Sequence, residues 1–230
     1  MVGKTLALAV CWLLAPLTLA LPDSNRGTVV NLRIEGDTTT IFEGRIFTRG
    51  HDVETASGGE HHCDGTNLGA NPAPGPTATS ALDDAAKREG FDWDGNYFSQ
   101  FDDYLVSTVD GVTQTTNEFW GLFVNYKFAE VGGCQQRVEF RDEVLWAFGA
   151  FDEPLLKLSG AHLVHVGQPV TLTVTDGRNG TPVAGAEVQG ETSDADGRVV
   201  VTFNTARRKE FKAEKANALR SSRFQIVVVP

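Results

Sequence analysis

The sequence predicts a mainly β protein of two small domains, an α+β domain followed by a β-sandwich. Three observations predict it. Apolar and polar residues alternate in many short segments, as at Val30, Leu32 and Ile34 or at Val170, Leu172 and Val174, which is the period of a strand with one buried face. One stretch, residues 78–89, carries a helical apolar stripe instead. The character then changes after Leu158. Residues 21–158 hold 23 acidic and 10 basic side chains, whereas 159–230 hold 7 and 9.

Lys4, the apolar run Leu6 to Leu14 and the small-residue site Thr18-Leu19-Ala20 read as a secretory signal peptide over residues 1–20. The run is too short and wrongly flanked for a spanning helix; a retained anchor is the alternative. No later segment is long and apolar enough to cross a bilayer. The expected location is secreted, extracellular or associated with the cell surface. Cleavage removes Cys11 and leaves Cys63 and Cys134. An even count in an exported chain reads as a disulfide, and closing so long a loop stabilises by about 4 kcal/mol in the chain-entropy account.

Thr28 to Glu35 alternates as a half-buried strand, with Val30, Leu32 and Ile34 inward and Arg33 and Glu35 outward. Gly36-Asp37 turns it into a second strand, Ile41 to Phe47. Residues 56–77, rich in Gly, Pro, Asn and Ala, read as a long loop clamped by Cys63. In the helix, Ala78, Ala81, Leu82, Ala85 and Ala86 form the stripe, Thr77 or Thr79 caps it and Gly90 ends it. Asp83 and Asp84 stand four residues before Lys87 and Arg88, which suits ion pairing and the helix dipole. Residues 91–118 mix aromatic and polar side chains. Strands follow at Trp120 to Tyr126 and within Val138 to Phe148, joined through Gly132-Gly133. After a boundary near Ser159-Gly160, short strands around Val170, Val199 and Phe224 are separated by Asp176-Gly177, Asn179-Gly180 and Asp196-Gly197, the spacing of a sandwich.

No GxSxG elbow, HExxH or phosphate-binding glycine loop is present, so no catalytic constellation is expected. The adjacent pairs Asp83-Asp84 and Asp102-Asp103 do not make a glycosidase pair, which must flank a bond. His51, His61 and His62 lack a recognisable nucleophile partner. Glu60-His61-His62-Cys63-Asp64 has no zinc spacing, and no metal or cofactor is expected. Asp92-Trp93-Asp94-Gly95-Asn96, with Asp103 beyond, admits a calcium reading, but Tyr97 stands where an EF-hand needs glycine. An Asp/Asn turn is the competing account. The acidic first domain argues against nucleic acid. Arg207, Arg208, Lys209, Lys212, Lys215, Arg220 and Arg223 read as a solvated strand face, an acidic-polysaccharide contact or a contact with the first domain.

The expected role is therefore non-catalytic binding or adhesion, toward an extracellular glycan, protein or small molecule. The candidate contacts are His61, His62 and Asn67 in one loop and Asp92, Trp93, Asp94, Tyr97 and Tyr104 in another. Trp93 is expected at the surface and Trp120 in the core. The alternative is a small-ligand carrier with an apolar pocket between helix and sheet. Asn179-Gly180-Thr181 is the glycosylation pattern of the mature chain, at an expected exposed turn.

Two likenesses add to this reading. Ile41-Phe42-Glu43-Gly44, Cys63-Asp64-Gly65-Thr66-Asn67, Gly75 to Ala85, Phe119 to Tyr126 and Asp142 to Trp146 make residues 28–158 resemble an extracellular domain of unknown function. That domain is related to the C-terminal β-domain of transcobalamin and intrinsic factor. The resemblance implies a β-grasp-like fold, a helix across a mixed sheet, and no enzymatic activity. The large helical barrel that completes the ligand site of those carriers has no counterpart here. Gly167 to Val174, Thr181 to Val188 and Thr192 to Gly197 make residues 160–230 resemble bacterial-type immunoglobulin-like domains of surface proteins, which implies a spacer or adhesive module.

Overall fold

The structure, a computed structural model, describes residues 26–230. The signal peptide and Cys11 lie outside the described residues.

In chain order the N-terminal unit runs β1 (Thr28–Glu35), β2 (Thr40–Thr48), β3 (His51–Thr55), β4 (Gly59–Cys63), α1 (Ala78–Glu89), β5 (Trp93–Phe98), β6 (Asp103–Val109), β7 (Val112–Thr113), β8 (Trp120–Val124), β9 (Lys127–Phe128) and β10 (Glu143–Phe148). Five of these make one mixed sheet in the order β2-β1-β10-β8-β9. β1 and β10 are parallel and the other neighbours antiparallel. The helix lies across β1 and β2. Val30, Leu32, Ile34 and Ile46 meet Ala81, Leu82 and Ala85 of the helix, with Trp120, Leu122, Val144 and Trp146 completing the core. The helix starts where the Thr77 hydroxyl accepts the Ser80 N–H and the Ser80 hydroxyl accepts the Thr77 N–H. It stops at Gly90, whose φ of 81° is left-handed, a conformation glycine adopts without steric penalty.

Two segments expected as loops contain strands. Residues 56–77 include β4, paired antiparallel with β3. Of β4 only Cys63 is buried, so no apolar alternation marks it. Residues 91–104 hold β5 and the start of β6, also antiparallel. There a bulge between Asp94 and Gly95 shifts the register and breaks the two-residue period.

The C-terminal unit comprises β11 (Leu156–Ser159), β12 (Leu163–His165), β13 (Pro169–Asp176), β14 (Glu187–Val188), β15 (Glu191–Thr192), β16 (Arg198–Thr202), β17 (Arg208–Phe211) and β18 (Phe224–Val229). Sheets β11-β13-β16 and β12-β18-β17 share one core, in which Leu172, Val174 and Val199 meet Phe211, Phe224 and Ile226. The arrangement is sandwich-like. β11 pairs with β13, so the boundary expected at Ser159-Gly160 falls too late: Leu156 already belongs to this core. Gly160 ends a strand of the C-terminal unit and is not a linker.

The two units share a buried junction. Phe123, Leu145 and Ala147, on the face of the mixed sheet opposite the helix, pack with Ala150, Leu155 and Leu219. Beside them Glu35, fully buried, receives Lys212 Nζ at 2.7 Å, Arg220 Nε at 2.8 Å and Arg33 Nη1 at 3.2 Å. The half-buried reading of β1 is thereby corrected, since Arg33 and Glu35 are both buried. Of the readings for the basic cluster, contact with the first domain holds for the side chains of Lys212 and Arg220, whereas the Arg223 side chain pairs with Glu210 of its own unit at 3.4 Å. Lys212 also meets Glu43 at 2.7 Å, and the Arg223 N–H donates to Glu43 at 2.6 Å.

Candidate functional site

One end of the N-terminal unit is organised by a covalent tie. Cys63 and Cys134 are disulfide-bonded, with Cα atoms 4.6 Å apart, and the bridge joins the end of β4 to the turn following Gly132. Val53, Tyr104 and the two half-cystines form a small buried cluster, flanked by Trp93 and Tyr97. Asp103 fastens the same turn. Its carboxylate accepts N–H groups from Tyr104 at 2.8 Å, Cys134 at 3.0 Å and Gln135 at 3.2 Å. A Cβ on Gly132 would overlap that carboxylate, so the close approach requires glycine. Burial pushes the Asp103 carboxyl up to about 6, against the pull of its N–H donors.

Asp102, next in line, works as a latch. Its carboxylate accepts the Tyr97 hydroxyl at 2.5 Å and the Leu68 N–H at 2.7 Å. Asn67 Nδ2 donates to the Asp102 carbonyl at 2.9 Å and to the His62 carbonyl at 2.8 Å. Burial opposes ionisation of Asp102, yet the Tyr97 hydroxyl and the Leu68 N–H hold it below the ordinary carboxylate range. Leu68 and Asp102 both take left-handed φ values, 51° and 50°. For side-chain-bearing residues this costs about 1 kcal/mol or more each, and such strain concentrates where a chain holds a special shape. Here the result is that Leu68 stands out beside Phe98, Phe101, Leu105 and Val131 around a groove of about 450 Å³. Leu68 and Phe101 are 61% and 58% exposed.

The structure brings His61, His62, Asn67, Tyr97 and Tyr104 to this end of the unit. The His61 ring stacks on Tyr97 with centroids 3.4 Å apart and planes within 7°. His62 is exposed, with Nε2 3.6 Å from the Asp102 carboxylate. Asn67 needs correction as a ligand contact, because it is buried and lies outside the groove, whereas Tyr104, though buried, lines it. Asn67 ties two backbone segments, and the Tyr104 hydroxyl donates to the carbonyls of Val53 at 2.6 Å and Gly59 at 2.7 Å. Trp93 also needs correction. It is half-buried against the main core and the disulfide cluster, and its Nε1–H donates to Asp83 at 3.3 Å.

Asp92 is exposed and lies outside the groove. Asp94 is committed to a turn, accepting the Ser57 N–H at 2.9 Å and hydroxyl at 2.5 Å. The segment Asp92–Asn96 is extended into β5 and does not wrap a centre, and among the described residues no three His, Cys, Asp or Glu side chains converge as metal ligands. Asn179 lies exposed in a turn of the C-terminal unit, its Oδ1 accepting the Thr181 N–H at 2.8 Å. His51 spends both ring nitrogens structurally, Nε2 on Asp83 at 2.8 Å and Nδ1 on the Arg49 carbonyl at 2.8 Å. The Asp83 hydrogen bond raises the His51 pKa above 6.5.

Sequence reasoning named none of the groove's five apolar residues, Leu68, Phe98, Phe101, Leu105 and Val131, as contacts. Phe98 and Phe101 carried a signal as aromatic residues of the segment 91–118, and Leu105 as an apolar residue on the outward side between inward Tyr104 and Val106. Leu68 and Val131 reach the groove through loop geometry that no local period encodes.

No curated protein matches the chain. Residues 75–150, the span from just before the cap of α1 through β10, match the family DUF4430, a domain of unknown function found in general in extracellular proteins.

Proposed function

We propose that the protein is a secreted or surface-associated, non-catalytic binding module that makes contact through the groove beside Phe98 and Phe101. One observation carries the reading: five large apolar side chains, Leu68, Phe98, Phe101, Leu105 and Val131, remain exposed around a single groove that strained backbone and a disulfide hold open. Clustered exposed apolar surface of this kind marks binding sites, whereas singly scattered apolar residues do not. A pre-tethered groove also loses less conformational entropy when a partner fixes it. The disulfide and the extracellular character of the matched family support the location. The cobalamin-carrier relationship of the N-terminal unit and the immunoglobulin-like, spacer or adhesive character of the C-terminal unit belong to the same proposal.

A pocket between helix and sheet, the carrier alternative, is less well supported, because Ile46, Leu82 and Ala85 fill that layer with buried side chains. The test is a glycan, peptide and small-molecule screen on the secreted protein beside its Phe98→Ser/Phe101→Ser variant. Binding that the variant loses while melting at the same temperature supports the groove. Hits retained in full by the variant would place the contact elsewhere.

A further inference from the structure

The charge of the groove narrows what enters it. Its walls are apolar and aromatic, and the charged side chains lining it, Asp103 and Glu130, are both acidic. Asp103 is buried, and its carboxylate is held by N–H donors alone. Among the described residues it forms no ion pair with lysine, arginine or histidine. A buried carboxylate lacking a counter-charge is costly, and a cation reaching it recovers a charge-assisted hydrogen bond. Phe98 and Phe101 beside it offer ring faces that attract an ammonium or stack on an aromatic body. The excess negative charge of residues 21–158, 23 acidic against 10 basic, steers cations toward this unit.

The geometry points to a small organic cation as the occupant: an aromatic or alkyl body seated on Phe98, Phe101 and Leu105, with an ammonium group directed to Asp103. The volume of about 450 Å³ falls in the usual small-molecule range, roughly 300–1,000 Å³. This inference rests on the groove reading above and adds the chemical class of the ligand. The elevated Asp103 pKa, about 6, adds a signature: binding strengthens as the carboxyl ionises and levels off above that pH.

The test titrates the full secreted chain with three matched probes, 2-phenylethylamine, 2-phenylethanol and 3-phenylpropanoate, followed by NMR shifts at residues 98–105. The amine should bind about tenfold or more tightly than the alcohol, the margin of a charged over a neutral hydrogen bond, and the propanoate more weakly still. Asp103→Asn should remove the amine's advantage and its pH dependence. Because Asp103 also holds the Cys134 turn, a melting curve accompanies that variant, and Phe101→Ser is run beside it to weaken amine and alcohol alike. Equal affinity for amine and alcohol would overturn the cation inference and leave the groove as a binding site. Binding of none of the three would overturn the inference as well, and the screen with the Phe98→Ser/Phe101→Ser variant then decides the groove reading separately. A concentration-dependent dimer dissolved by Phe101→Ser would overturn it in favour of a second copy of the chain.

Discussion

Glu35→Gln is the sharpest test of how the two units are joined. Glu35 is 0% exposed and faces three cations, Lys212 at 2.7 Å, Arg220 at 2.8 Å and Arg33 at 3.2 Å. The amide keeps the shape and removes the charge. Breaking a buried ion pair by neutralising one partner costs about 3–5 kcal/mol, because the other charge is left without compensation. Part of that is recovered here. Lys212 retains Glu43 at 2.7 Å, and Arg220 retains the Thr38 carbonyl at 2.7 Å. The expected loss is therefore near the lower end, about 3 kcal/mol. Urea unfolding of the full chain, followed by fluorescence and circular dichroism together, measures it if the transitions coincide. The loss should persist at high salt, since buried pairs are little screened. A loss under about 1 kcal/mol, the range of an exposed pair, would refute the burial argument for the junction.

Further expectations follow from the same packing. Expressed alone, residues 28–155 should unfold at lower urea concentration than within the full chain, because Phe123, Leu145 and Glu35 lose their cover; equal midpoints would mean that the junction contributes nothing. Trp120→Ala should cost about 3–5 kcal/mol and Trp93→Ala about 2 kcal/mol, read by denaturation. A Trp93 loss within the error of a surface substitution would return that indole to the surface. The raised His51 pKa gives a signed pH effect: its contribution to stability is complete below about 6.5 and disappears as pH rises through the higher folded value. Melting temperatures taken through that window should fall in the parent and stay flatter in His51→Gln. Replacing Cys63 and Cys134 by serine, which opens a bridge spanning 71 residues of sequence, should cost about 4 kcal/mol in the chain-entropy account and loosen the groove, as hydrogen exchange at Leu68 would report.

Several features were legible in the residues themselves because they are local. The helix over 78–89 announces itself by its stripe, its cap at Thr77 and its stop at Gly90. The β1–β2 hairpin follows from alternation on both sides of Gly36-Asp37. The strands around Val170, Val199 and Phe224 follow from alternation between turn signals. The bridge between Cys63 and Cys134 follows from counting cysteines in an exported chain. Other features were decided only by tertiary structure, because periodicity reports which faces a strand has and not what covers them. Arg33 and Glu35 look solvent-facing along β1, and become buried when Lys212 and Arg220, some 180 residues later, arrive with the C-terminal unit. Trp93 and Tyr104 look alike as aromatic residues in a polar stretch. The bulge at Asp94 and the disulfide turn them inward and leave Phe98, Phe101 and Leu105 outside. The groove depends on Leu68 and Val131 meeting that hairpin from two separate loops, and a meeting in space imposed by a crosslink and a buried carboxylate leaves no period in the chain to read.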